Sequence, residues 1–133
     1  MSVLPNTDVW LDSLSRGVNA RSYPTAELHR LIAENQVVIP GFIRQEILAG
    51  VTSQDQLETL REAFRPFTAP EPTLEDYETA AIFYHTCRRQ NLKTSMPDTL
   101  LCALSIRLGL RIFTTDKHFF LLQKHIPIHL HHA

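Results

Sequence analysis

Four short apolar runs, separated by stretches of helical spacing, constrain this chain more than any other feature. Val3 and Leu4, Val37 to Ile39, Arg111 to Thr114, and Ile126 to Ile128 each read as a brief strand. The segments between them carry apolar residues three and four apart, the period of an amphipathic helix. Strands spaced this way favour an α/β fold with a parallel sheet, because each return to the sheet is made through a helix. The β-branched run Val37-Val38-Ile39 is the strongest strand signal in the chain.

Punctuation residues divide the helices. Thr7 or Asp8 is positioned to cap a helix holding Val9, Trp10, Leu11 and Leu14, with Gly17 as its stop. A second helix starts after Tyr23 and Pro24. Pro40 and Gly41 turn the chain into a third, which Gly50 ends. Thr52 or Ser53 caps a fourth, reaching Phe64. The loop Ala69 to Pro72 precedes Thr73 and Asp76, the spacing of a loose capping box, and a long helix follows towards Gln90. Pro97 suits the first turn of a helix that is apolar on more than one side and stops at Gly109. Asp116 is placed to cap a short helix through Phe119 to Leu122.

With 133 residues, 44% of them hydrophobic, residues 1–133 read as one domain with one core. No repeat or interdomain linker interrupts it. The formal net charge is -1, which argues against a surface coated in basic residues but leaves room for a local basic patch. Cys87 and Cys102 both lie in apolar, helix-like stretches and read as buried free thiols. No apolar run approaches the ~20 residues that span a bilayer. Met1 to Asp12 lacks the pattern of a signal peptide. The expectation is a soluble cytoplasmic protein with no membrane association.

Sites in open α/β sheets lie beyond the carboxyl ends of the strands. Asn6, Thr7 and Asp8 follow the first strand, Glu46 lies one turn into the helix after the second, Asp98 opens the buried helix, and Asp116 follows Thr114. Gathered carboxylates repel one another unless a positive partner joins them. A hard cation, Mg2+ or Mn2+, is the natural one for oxygen ligands. Each residue also has a plainer role. Asp8, Asp98 and Asp116 all stand at helix starts, where a carboxylate stabilises the N-terminus, and Glu46 suits a solvated helix face. The case for a site rests on the combination, and the expectation is that Asn6, Glu46, Asp98 and Asp116 converge at one end of the sheet.

Four segments carry a family resemblance. VLPNTDVWLD from Val3 resembles the opening of VapC-type PIN domains, FIRQEILAG from Phe42 their second acidic segment, PDTLLCA from Pro97 their third, and TTDKHF from Thr114 their fourth. The order holds over nearly the whole chain. The resemblance implies a PIN-like α/β/α sandwich around a mainly parallel sheet and Mg2+- or Mn2+-dependent cleavage of RNA. It also implies a homodimer and a cognate antitoxin. Asn6, Glu46, Asp98 and Asp116 then take the family's acidic positions, as metal ligands and catalytic residues. Thr114 takes that of the hydroxyl residue supporting the last acid. Asn6 departs from the pattern, because the family has aspartate there. An amide keeps one carbonyl ligand and loses the charge. The substitution reads as an engineered knockout, a naturally weakened site, or a position relieved by Asp8. The last is disfavoured, on the expectation that a residue two positions further on points elsewhere.

Three functions stand on this reading: a metal-dependent endoribonuclease toxin impaired at Asn6, a PIN-like module that binds RNA or antitoxin without turnover, and a flavodoxin-like signalling domain, against which all four segments count. Arg44, Arg65, Arg88, Arg89, Lys93 and Arg107 are candidates for an RNA surface, with Arg88-Arg89 to Lys93 the densest basic segment. His125, His129, His131 and His132 read as exposed or edge-strand histidines rather than a metal tail. His118 receives no catalytic role, and Trp10 reads as core.

Overall fold

The structure, a computed structural model, describes residues 2–14 and 22–132; the stop expected at Gly17 lies outside them. Strand β1 (Val3–Pro5) runs into helix α1 (Thr7–Leu14), followed by α2 (Tyr23–Ala33), α3 (Gly41–Gly50), α4 (Gln54–Ala63), α5 (Leu74–Arg89) and α6 (Met96–Leu108). Strand β2 (Arg111–Phe113), helix α7 (His118–Leu122) and strand β3 (His129–Leu130) complete the described elements. The expected α/β/α arrangement around a parallel sheet is the one observed.

Every pairing among the described strands is parallel. β1 pairs with β2 in the register Val3↔Arg111, Leu4↔Ile112, Pro5↔Phe113, and β2 pairs with β3 through Arg111↔His129 and Ile112↔Leu130. On the other side of β1, isolated parallel bridges join Val3 to Val37 and Val38 to Thr68. Residues 37–39 therefore do not form the full strand that their β-branched side chains favour. They are extended and bridged, but Pro40 follows at once, has no N–H to continue a ladder, and sits at the N-terminus of α3. The last strand lies at His129–Leu130 rather than at 126–128. Ile126 and Ile128 are buried core residues leading into it.

Helix starts follow the expected chemistry with small shifts. Ser22, Ser53 and Ser95 accept backbone N–H bonds at the starts of α2, α4 and α6. Thr73 and Asp76 form a reciprocal capping box on α5. At α1 the capping position falls on Asn6 rather than Thr7 or Asp8: its carbonyl accepts from Val9 and Trp10 N–H at 3.1 and 3.4 Å. Gly109 ends α6 with φ 65°, a left-handed conformation that suits a residue without Cβ.

The core joins both helical layers across the sheet. Leu4, Ile39, Ile43, Leu101, Leu104, Ile112 and Phe113 are fully buried in it. Trp10 is core as expected, edge-on to Phe64 at 5.3 Å between centroids. Cys87 and Cys102 are free and buried, and burial pushes the Cys102 thiol up to about 12. No helix among the described residues is long and apolar enough to cross a membrane.

One buried ionic group escaped the sequence reading. His131 is not an exposed edge residue: it is buried, with Nε2 2.6 Å from Glu27 Oε2. Arg30 donates to both Glu27 oxygens at 2.7 and 2.8 Å. Arg30, opposed by burial and helped by His131, lowers the Glu27 pKa from 4.5 to about 2. A depressed carboxylate stabilises the fold above its unfolded pKa and loses that contribution as pH falls through the folded value. Glu27→Gln should therefore cost about 2 kcal/mol at neutral pH, less than the full linkage value because Arg30 is half exposed and screened. Urea unfolding of both forms should converge between pH 4.5 and about 2. A gap that stays constant over that window would remove Glu27 from the acid response.

Candidate active site

The parallel register of β1 and β2 decides where the acidic residues meet. Because Pro5 is opposite Phe113, the residues that follow, Asn6 and Thr114, leave the sheet side by side. The Asn6 N–H donates to the Phe113 carbonyl at 2.8 Å and extends the ladder by one bond. Asn6 is almost fully buried, and its side-chain amide makes no hydrogen bond among the described residues.

Helix α1 then presents its first turn to this edge. The Thr7 hydroxyl donates to Glu46 Oε1 at 3.2 Å, tying α1 to the second turn of α3. Asp8 turns into the loop after β2. Its Oδ1 accepts from the Thr114 hydroxyl at 2.8 Å, and its Oδ2 accepts from the Thr115 N–H and hydroxyl at 2.8 and 2.9 Å. The expectation that Asp8 points away from the site is overturned. Cα–Cβ bonds of a helix tilt towards its N-terminus, so a first-turn side chain leans back over the strand ends. Thr115, which sequence reasoning did not single out, supplies two of the three donors. The adjacent hydroxyl run Thr114-Thr115 was the available signal.

Thr114 also accepts from the Asp116 N–H at 3.1 Å, so it shapes the backbone that carries Asp116. Asp116 Oδ1 accepts from the His118 N–H at 2.9 Å and braces the turn before α7, whose N-cap position falls on Lys117 rather than on Asp116. Asp98 stands in the first turn of α6, where its N–H donates to the Ser95 hydroxyl at 3.2 Å. It is held there because the next turns of α6, from Leu101 to Ser105, are buried throughout.

The electrostatics link these positions. Burial raises the Asp98 pKa. The Ser95 hydroxyl and His118 pull it back, while the negative charges of Asp116 and Asp8 push it further up. Burial likewise raises the Glu46 pKa, against the Thr7 hydrogen bond and with help from Asp98. Asp98 is thus within electrostatic reach of Glu46, Asp116 and Asp8. Among the described residues no Lys or Arg forms an ion pair with any of the four.

The donor set is all oxygen, carries charge that no Lys or Arg pairs with, and includes an amide with no hydrogen bond among the described residues, which fits a hard divalent cation. Among the described residues no three His, Cys, Asp or Glu side chains stand close enough to enclose an ion by themselves. That is compatible with a cation such as magnesium, which keeps several waters and uses one or two carboxylates.

Residues 4–124 match the PIN domain. The chain belongs to the PIN-domain family. Solved structures agree on the fold over nearly its full length. A VapBC pair from Rickettsia felis bound to a DNA fragment from its promoter matches with a TM-score of 0.77 at 15% identity, covering 98% of each chain. The FitAcB structure from Neisseria gonorrhoeae matches at 0.76 and 17%, covering 98% of this chain and 96% of that one. A sarcin-ricin loop cleaving VapC toxin from Mycobacterium tuberculosis matches at 0.67 and 18%, covering 90% and 94%. The fold of this PIN domain is therefore that of the VapC type.

The basic candidates divide sharply. Arg44 is no RNA contact: its guanidinium donates inward to the Ile39, Phe64 and Phe67 carbonyls at 2.9, 2.6 and 2.6 Å. Arg107 pairs with buried Asp76 at 2.9 Å, and Arg65 with Glu62 at 3.1 Å. Arg88, Arg89 and Lys93 are exposed and have no carboxylate partner among the described residues.

Proposed function

We propose that this PIN domain is a metal-dependent endoribonuclease toxin of a type II toxin–antitoxin pair, weakened by Asn6. The observation that carries the reading is the uncompensated acidic group at the ends of β1 and β2, with Asp98 in electrostatic reach of Glu46, Asp116 and Asp8. The family match and the toxins of the same fold support it. Asn6, Asp98, Asp116 and Glu46 would hold Mg2+ or Mn2+. Bound there, the cation supplies positive charge at the scissile phosphodiester and acidity to the attacking water.

The protein's own part is positioning. Thr7 fixes the Glu46 carboxylate, and the Asp8–Thr114–Thr115 contacts fix the loop from which Asp116 projects. Asn6 offers a carbonyl oxygen from a buried position but no charge. RNA is the substrate on this reading, with a cognate antitoxin and a second copy of the chain as protein partners in the cytoplasm. The alternative is a PIN-like module that binds RNA or antitoxin without turnover, and the buried neutral Asn6 is the feature that favours it.

Ligand charge governs affinity for hard cations. Mn2+ titration followed by calorimetry should show binding to Asn6→Asp at least about tenfold tighter than to the present sequence, by the scale of changes at metal-supporting groups. Equal affinity would mean that position 6 is not a ligand. RNA hydrolysis that continues in chelator would exclude the metal reading.

A further inference from the structure

At the end of α5, in the segment that leads into α6 and Asp98, lies a cavity of about 450 Å³ lined by Tyr84, Arg88, Asn91, Leu92, Lys93 and Thr94. We infer that this cavity is a subsite for a nucleotide of single-stranded RNA next to the cleaved linkage, an inference that rests on the ribonuclease reading above.

Charge is the first reason. Between Glu78 and Asp98 the chain has no acidic residue but carries Arg88, Arg89 and Lys93, although the whole protein is formally -1. The other arginines with described structure mostly serve the fold: Arg30, Arg61, Arg65 and Arg107 are paired with carboxylates, and Arg44 with carbonyls. Arg88 and Lys93 line the cavity without a carboxylate partner among the described residues, and exposed Arg89 adjoins them in sequence, an arrangement that attracts a phosphate backbone.

Shape and chemistry are the second. The volume falls within the roughly 300–1,000 Å³ range of small-ligand sites. Tyr84 gives one wall an aromatic ring, with the Arg88 guanidinium 5.0 Å from its centroid. A nucleobase stacks on such a ring, and on a guanidinium plane, with little regard to its identity. Asn91, exposed on a left-handed turn with φ 56°, offers an amide that can donate and accept at a base edge. The Thr94 hydroxyl in the same wall has no partner among the described residues. An acidic peptide would use the cations but would leave the ring and the amide without a role.

Position is the third. Thr94 leads directly into Ser95, whose hydroxyl receives the Asp98 N–H at 3.2 Å. The cavity wall and Asp98 thus belong to one short segment, which on this proposal relates a nucleotide held in the cavity to the site.

The test is fluorescence anisotropy of a labelled short single-stranded RNA of mixed sequence, in chelator so that binding is read without metal or cleavage. Tyr84→Leu should weaken binding about tenfold with the salt slope retained, and Tyr84→Phe should restore it. Arg88→Gln with Lys93→Gln should reduce the salt slope by about 1.4, from ~0.7 per cation on single strands. Lys124→Gln should bind like the parent. These exposed substitutions at Arg88 and Lys93 carry the test if Tyr84→Leu melts early. Unchanged affinity and slope would overturn the subsite, and so would poly-glutamate displacing the RNA at equal charge with no effect of Tyr84→Leu. Cleavage of the same RNA by Asn6→Asp with Mn2+ is scored separately. Cleavage with indifferent cavity variants removes only the subsite, while cavity-dependent binding without cleavage removes only the nuclease reading.

Discussion

Asn6→Asp is expected to raise metal-dependent cleavage of RNA by at least about a hundredfold, the upper scale for groups that support a bound metal. Asp98→Asn in that background is expected to abolish it. Position 6 is buried, follows β1, and has a side chain with no hydrogen bond among the described residues. Aspartate there adds charge without disturbing an existing contact. The charges of Asp116 and Asp8 act on Asp98, and that of Asp98 acts on Glu46, so neutralising it removes charge coupled to all three. Thr114→Ala should do less, because its hydroxyl touches Asp8 and the Asp116 backbone rather than a substrate. Purified variants, free of antitoxin, are compared on total cellular RNA with Mg2+, Mn2+ and chelator. Equal rates for the asparagine and aspartate forms would shift the first-acid role to Asp8.

Arg44→Ala is expected to lower stability by about 3 kcal/mol or more, since hydrogen bonds to a charged donor contribute roughly 1.5–3 kcal/mol each and three carbonyls lose theirs together. The guanidinium reaches from α3 to the Phe64 and Phe67 carbonyls, fastening the end of α4 and the segment entering Thr68. It also lies over the Phe64 ring at 5.9 Å. Arg44→Lys should recover less than half, because an ammonium cannot match the planar fork. The urea midpoint measures both. A loss below about 0.5 kcal/mol, the range of ordinary surface substitutions, would mean that water satisfies these carbonyls without help.

Arg44 also marks the limit of reading this chain from its residues. Helices and caps were legible because their signals are local: Ser53, Thr73 with Asp76, Pro97 and Gly109 act on neighbours within four positions. The parallel sheet followed from the spacing of apolar runs. What a long polar side chain touches is not local. Arg44 looks like a surface cation until the carbonyls twenty and twenty-three residues away fold against it. His131 looks like part of a polar tail until Glu27, 104 residues earlier, meets it in the core.

The acidic group was legible as four segments in order, but not as geometry. Sequence offset alone points Asp8 away from the other acids; the backward tilt of first-turn side chains and the Thr114-Thr115 donors opposite turn it towards the strand ends. Residues 37–39 depart from their local signal for a related reason. Their β-branched composition favours a strand, but Pro40 and the start of α3 leave room only for single bridges.

The anomalous signal of Mn2+ in crystals of Asn6→Asp locates the ion without reference to activity. An ion lying between residue 6 and Asp98, with Asp116 or Glu46 reaching it directly or through water, is the expected result. An ion held instead by the C-terminal histidines, or no ion at saturating Mn2+, would contradict the assignment of Asn6, Glu46, Asp98 and Asp116 as the metal site of this PIN domain.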